Sequence, residues 1–202
     1  MASDDKKVPV RKSSDAEVEA FLRKVAAVPV RPSTGERGRL LFALDATASR
    51  QPTWDQASHI QGEMFSATDD LGGLEIQLAF YRGFGEFKVS PWLTDSGDLL
   101  GRMTATFCLA GETQIGKVLR HAINETKKRK VNALVFVGDS IEEDVDKLGA
   151  VAGELGLLGV PAFLFHEGED PIAKFAFRQI ARLTNGACCS FDASSAQTLR
   201  DL

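Results

Sequence analysis

Residues 131–166 read VNALVFVGDSIEEDVDKLGAVAGELGLLGVPAFLFH, and this stretch decides the fold. The apolar run at 133–137 is typical of a strand that is buried on both faces. Residues 141–155 have apolar side chains at helical spacing, and 160–165 is a second apolar run. Two buried strands joined by a helix form a parallel pair with a crossover connection. The stretch therefore predicts a mostly parallel sheet with helices packed on it.

The same alternation continues on both sides of this stretch. Apolar runs at 40–44 and 74–81 predict two more strands, and the turn at 82–85 leads directly into a third at 86–89. Because that turn is tight, the strand at 86–89 must run antiparallel at one edge of the sheet. The remaining predicted elements are helices at 52–66, 98–107, 115–123, 171–183 and 194–202, and a strand at 187–191. We therefore predict an α/β fold: a three-layer, Rossmann-like sandwich with a mostly parallel six-stranded sheet, one antiparallel edge strand and helices on both faces.

The chain divides into an N-terminal region and one larger domain. Residues 1–37 predict a charged tail, an amphipathic helix at 15–27 and a linker rich in proline and glycine. That helix either packs on the main domain or binds a partner, and the sequence leaves both possibilities open. Residues 38–202 are long enough to form a single domain with a well-buried core.

Composition and charge exclude several classes of protein. The 202 residues are 44% hydrophobic and 26% charged with a net charge of −4, which is typical of a globular protein. The basic run Lys127-Lys128-Arg129-Lys130 ends a predicted helix, where cations interact favourably with the helix dipole. This structural role accounts for the run, so we expect no nucleic-acid partner. The longest uncharged apolar stretch, 155–165, is too short to cross a bilayer, so we expect no membrane segment. The odd number of cysteines, three, favours a reducing compartment, and we expect a cytoplasmic location.

Oxygen-bearing side chains follow two of the predicted strands and precede one helix. Asp45, Thr47 and Ser49 come after the first strand, Thr113 precedes the helix at 115–123, and Asp139 follows the strand at 133–137. We expect them at one edge of the sheet, because ligands of such sheets bind beyond the carboxyl ends of the strands. Oxygen donors favour a hard cation such as Mg²⁺ or Mn²⁺. Neutral hydroxyl ligands leave most of the positive charge on the ion, which can then accept a carboxylate from another molecule.

With these residues the chain resembles a von Willebrand factor type A (VWA) domain of the bacterial intracellular type with a metal-ion-dependent adhesion site (MIDAS). The family's first motif is Asp-x-Ser-x-Ser, and residues 45–49 read Asp-Ala-Thr-Ala-Ser. The family's threonine and second aspartate also have matches, although Gly138 precedes the aspartate here, whereas the family usually has a glycine after it. The resemblance covers residues 38–202. It implies a Mg²⁺ or Mn²⁺ site made of Asp45, Thr47, Ser49, Thr113 and Asp139.

The resemblance implies a protein-binding module, not an enzyme, in which Mg²⁺ is presented to an acidic residue of a protein partner. It also implies that the partner could be an ATPase. Two alternatives stay open. Asp45 could be the nucleophile of a magnesium-dependent phosphohydrolase or phosphotransferase, although haloacid-dehalogenase-like phosphatases need a second acid where Thr47 stands. The domain could also be a metal-free VWA scaffold.

Structural roles compete with the metal role at several positions. Asp45 and Asp139 could each cap a helix, because aspartate is among the best N-cap residues. Ser140 and Glu143 have the spacing of a capping box, and we expect them to begin the helix at 141–155.

Overall fold

The computed structural model describes residue 23 and residues 37–54, 59–60, 62–63 and 74–192. The described residues form one six-stranded sheet built from β1 (Arg39–Asp45), β2 (Glu75–Arg82), β3 (Glu86–Val89), β4 (Ala133–Gly138), β5 (Ala162–His166) and β6 (Ala187–Ser190). The order across the sheet is β3-β2-β1-β4-β5-β6. Only β3 runs antiparallel to its neighbour within these residues, and the other pairs are parallel. The predicted sheet with one antiparallel edge strand is therefore confirmed.

Four α-helices and one short 3-10 helix connect the strands of the described part. They are α1 (Ser96–Thr104), α2 (Ile115–Lys128), α3 (Val145–Leu157), α4 (Pro171–Leu183) and the 3-10 helix Ala48–Thr53. The helix predicted at 52–66 is only partly described: Trp54 and residues 59, 60, 62 and 63 are helical. Of the helix predicted at 15–27 only Arg23 is described, and the helix predicted at 194–202 lies outside the described residues.

Helices cover both faces of the sheet because the central strands carry apolar side chains in both directions. Leu41 and Ala43 of β1 share one core with residues of α2, α3 and α4. Phe42 and Leu44 point to the other face and share a second core with residues of α1. The continuous apolar runs therefore mark strands buried on both sides, as we predicted.

The start of α3 differs from the prediction. The helix begins at Val145 rather than at residue 141, and its N-cap is Asp144. The Asp144 carboxylate accepts hydrogen bonds from the backbone N–H groups of Asp146 and Lys147, at 3.0 and 3.1 Å. The capping box predicted for Ser140 and Glu143 is therefore wrong, because a better cap lies closer to the apolar part of the helix.

The sheet brings the ends of two strands together. β1 lies between β2 and β4, and Leu44 pairs with Val137 in parallel register. The loops that follow β1 and β4 therefore leave the sheet side by side, at the edge where the sequence placed the metal ligands. Within the described residues, no helix has the length and apolar character needed to cross a membrane.

Candidate metal site at the carboxyl end of the sheet

Asp45 is the last residue of β1, and its side chain is completely buried. One carboxylate oxygen accepts the backbone N–H of Thr47 at 2.8 Å, and the other accepts the hydroxyl of Tyr81 at 2.9 Å. Burial raises the pKa of Asp45 to about 6, while the hydrogen bonds from Thr47 and the nearby Arg50 guanidinium oppose this rise. The sheet thus presents a carboxylate at a position where its negative charge is incompletely compensated.

Thr47 and Ser49 place two hydroxyl groups beside this carboxylate. Thr47 is buried at the start of the 3-10 helix but does not cap it with its side chain, and Ser49 is exposed. The two hydroxyl oxygens lie 3.0 Å apart and share a hydrogen bond. The loop after β1 therefore gathers a carboxylate and two hydroxyls at one end of the sheet, as we expected from the sequence.

Asp139 follows β4, which pairs directly with β1, and its negative charge contributes to the raised pKa of Asp45. Its carboxylate accepts the hydroxyl of Ser140 at 3.3 Å. Gly138 separates the two strand ends: a Cβ atom there would lie 2.8 Å from the ring of Phe136 and 3.4 Å from the Cβ of Asp45. A side chain before the aspartate would therefore have to displace the buried ring of Phe136.

Thr113 belongs to the loop before α2 and is tied to the loop after β4. Its hydroxyl accepts the backbone N–H of Glu142 at 3.0 Å, and its own N–H donates to the Glu142 carboxylate at 2.8 Å. The buried hydroxyl keeps a lone pair that could face a cation. In the part of the chain that the structure covers, no hydrogen bond joins Thr113 directly to Thr47 or Ser49.

Three other groups hold this end of the sheet in place, and their contacts were not predicted from the sequence. Tyr81 supports Asp45 from β2, and the neighbouring Glu143 accepts the first N–H groups of α2. Arg50 is buried and binds both the Asp45 carbonyl and the Glu167 carboxylate. Except for the bond from Arg50 to the Asp45 carbonyl, these contacts join residues that are far apart in the chain, so no local pattern could have predicted them.

The donors suit a hard cation. They are two carboxylates and three hydroxyls, and oxygen donors of this kind favour Mg²⁺ or Mn²⁺ over softer metals. No group of three or more histidine, cysteine, aspartate or glutamate side chains in the described ranges could hold a metal ion. A cation at this position would therefore depend on the hydroxyl groups as well as on Asp45 and Asp139.

The sequence matches no protein-family model and no curated protein sequence. The structure is similar to that of an aerotolerance-related membrane protein from Bacteroides fragilis, with a TM-score of 0.65, 16% identity and coverage of 80% of this chain and 96% of the other. It is similar to the SpRpn10 VWA domain, with a TM-score of 0.61, 18% identity and coverage of 82% and 93%.

A third similar structure is proximal thread matrix protein 1 from the mussel byssus, which has a zinc-occupied MIDAS motif. Its TM-score is 0.65 at 16% identity, and the match covers 82% of this chain and 45% of that protein. At such low identity these similarities establish the fold, while function must be argued from the residues themselves. The order of the strands, the antiparallel edge and these three similarities lead to one conclusion: this chain has the fold of a von Willebrand factor type A domain.

Proposed function

We propose that this domain is a divalent-metal-dependent protein-binding module. The ion would be held by Asp45, Thr47, Ser49, Thr113 and Asp139. The observation that carries the proposal is the pair of hydroxyl oxygens 3.0 Å apart beside a buried carboxylate, at the carboxyl end of a parallel sheet. Ligands of open α/β sheets bind at this edge.

The charge of the donors explains how such a site would recognise a partner. Three of the five protein ligands would be neutral hydroxyls, so the bound ion would keep part of its positive charge. When bound, Mg²⁺ or Mn²⁺ would supply a Lewis-acidic position that accepts an oxygen of an acidic side chain from a partner protein. The rigid hydrogen bonds of Asp45 hold its carboxylate in one orientation for this task.

The family resemblance makes an ATPase one candidate for the partner. The odd number of cysteines, three, supports our proposal that the domain works in the cytoplasm. The alternative of a phosphoryl-accepting Asp45 has less support, because Thr47 stands where haloacid-dehalogenase-like phosphatases need a second acid.

Thermal unfolding with a series of metal ions tests the proposal. Mg²⁺ or Mn²⁺ should raise the Tm of the wild-type protein, because a ligand that binds only the folded state stabilises it. The shift should disappear in Asp45→Asn, which keeps the size of the side chain, and in Thr47→Val. Asp98→Ala, which removes an exposed carboxylate from α1, is the matched control and should keep the shift. Equal shifts in all four proteins, or no shift in the wild type, would refute the metal site.

A further inference from the structure

Three apolar side chains are exposed next to the candidate metal site. Phe84 is 85% exposed at the tip of the β2–β3 turn, and Phe107 and Leu109 are 58% and 44% exposed in the loop after α1. We call these three residues the apolar rim. Single exposed apolar residues are common, but a group of them on neighbouring segments marks a binding surface.

The backbone under the rim is fixed to the rest of the fold. Gly83 and Gly85 have φ angles of 57° and 89°, which glycine adopts without strain, so the turn places Phe84 between them at its tip. The Lys117 ammonium of α2 donates to the Gly85 carbonyl at 3.0 Å. Gly111 lies directly against the Gly83 backbone, where a Cβ atom would be 2.1 Å from the Gly83 oxygen. The turn is therefore packed tightly against the loop that carries Thr113.

Arg82 fixes the ring of Phe107. Its guanidinium carbon lies 4.1 Å from the centre of the ring, and Nη1 donates to the Phe107 carbonyl at 3.0 Å. A cation held over an aromatic ring stabilises the orientation of that ring. Phe107 is thus exposed in a defined position, which lowers the entropy lost when a partner binds to it.

The rim is continuous with the predicted metal ligands. Leu109 forms an isolated parallel β-bridge with Thr47, and its N–H donates to the Ala46 carbonyl at 3.0 Å. Leu109, at one end of the rim, therefore lies beside the loop of Asp45 and Thr47. At the other end, the turn of Phe84 packs on the loop that carries Thr113.

We propose that the apolar rim is a docking surface for a segment of a partner protein in which an acidic residue is flanked by bulky apolar residues. This inference rests on the proposed function, because the acidic residue would bind the metal ion while its neighbours cover Phe84, Phe107 and Leu109. The exposed ammonium of Lys117 borders the rim and complements an acidic segment, whereas the charge of Arg82 is already paired with Glu86.

A display library of short random peptides, each with one fixed central aspartate, tests this inference on the full chain in Mn²⁺. We expect the selected peptides to be enriched in aromatic and large aliphatic residues next to the aspartate. The double variant Phe84→Ala/Phe107→Ala should bind them about tenfold or more weakly, while its Mn²⁺-induced Tm shift stays as in the wild type. The matched control is Phe175→Ala, which removes a phenylalanine that is 55% exposed on α4 and should leave peptide binding unchanged.

The outcomes separate this inference from the proposed function. If Mn²⁺ stabilises the protein but the library yields no peptides, or peptides that bind the double variant equally well, the rim is not the docking surface. If the peptides bind equally well in EDTA and to Asp45→Asn, the metal-dependent function itself is wrong. Concentration-dependent self-association that the double variant abolishes would assign the rim to a second copy of this chain. Binding to anionic vesicles that the double variant abolishes would assign it to a membrane instead.

Discussion

The hydroxyl of Tyr81 donates a 2.9 Å hydrogen bond to the Asp45 carboxylate, and both side chains are fully buried. The phenol comes from β2 and the carboxylate from the end of β1, so the bond fixes the carboxylate across two neighbouring strands. Burial raises the pKa of Tyr81 well above its usual value, so the phenol stays protonated and remains a donor. Tyr81 on β2 thus orients the Asp45 carboxylate of the candidate site.

Tyr81→Phe should therefore destabilise the protein without changing its fold. The variant keeps the ring and its stacking on Phe136 but leaves one buried oxygen of Asp45 without a donor. We expect the free energy of unfolding in EDTA to fall by about 1–3 kcal/mol, measured by urea denaturation. A double-mutant cycle with Asp45→Asn provides the control, because the loss should shrink once the charge is removed. The same loss in both backgrounds would show that the hydrogen bond is not its cause.

Glu143 should stabilise the start of α2. The N-cap residue Gln114 makes no side-chain cap, and the Glu143 carboxylate instead accepts the N–H groups of Ile115 and Gly116. Glu143→Ala should lower the free energy of unfolding by about 1–2 kcal/mol, since two N–H groups and the helix dipole lose an anionic partner. Urea denaturation measures this loss, with Glu112→Ala, which removes an exposed glutamate from the loop before α2, as the control. Equal effects of the two variants would contradict the capping role.

Protonation of Glu75 should make the domain less stable at acid pH. Its carboxylate accepts Arg39 Nε at 2.8 Å and Arg129 Nη1 at 2.8 and 3.0 Å. The hydrogen bond from Arg39, followed by that from Arg129, lowers the pKa of Glu75 in the folded state. A carboxylate with a lowered pKa stabilises the fold above its unfolded pKa, near 4.3, and this contribution disappears as the pH falls through the folded value.

Glu75→Gln should therefore lose about 1 kcal/mol of unfolding free energy at neutral pH, and the difference from wild type should shrink in acid. Urea midpoints measured across the acid range provide the test. Glu154→Gln is the control, because its ion pair with Lys127 is about half exposed on both sides, at 53% and 56%. A constant difference between wild type and Glu75→Gln at every pH would exclude the ionised carboxylate as the cause.

The sequence predicted the bounds of elements best where a local signal marks them. The run at 86–89 and the helix at 171–183 have the predicted bounds, because a tight turn and a Pro at the helix start mark them locally. The strand at 160–165 begins at Ala162 instead, and the helix at 98–107 is α1, Ser96–Thr104. Asp95 caps α1 through the N–H of Asp98, so the cap moves the helix start away from the apolar pattern.

In the candidate site, the sequence predicted the positions of several ligands but not the contacts around them. Asp45, Thr47 and Asp139 could be placed from the sequence, because each follows a strand whose end is marked by an apolar run. Their surroundings could not be predicted, since the Thr113–Glu142 pair and the contact of Arg50 with Glu167 exist only after distant loops meet. The metal role of the five predicted ligands stays a prediction.

Arg50 directly follows the predicted metal-binding loop and is among the most buried large side chains of the described residues. Its Nε donates to the Glu167 carboxylate at 2.7 Å, and Nη1 donates to the Asp45 carbonyl. The guanidinium also lies 5.3 Å from the ring centre of Trp54 and 5.9 Å from that of Phe191. One side chain thus connects the loop after β1 to the loop after β5.

Arg50→Met should lower the free energy of unfolding by about 3 kcal/mol or more, because it leaves the Glu167 carboxylate and the Asp45 carbonyl without their donor. Arg50→Lys should also destabilise the protein, since one ammonium group cannot reproduce the planar, two-sided contact of a guanidinium. Both variants should reduce the Mn²⁺-induced Tm shift, because the loop of Asp45 loses its support. Arg102→Met on α1 is the exposed control and should stay within about 0.5 kcal/mol of wild type. Wild-type urea midpoints and metal shifts in Arg50→Lys would show that charge alone, rather than the bridge between the two loops, holds this end of the sheet.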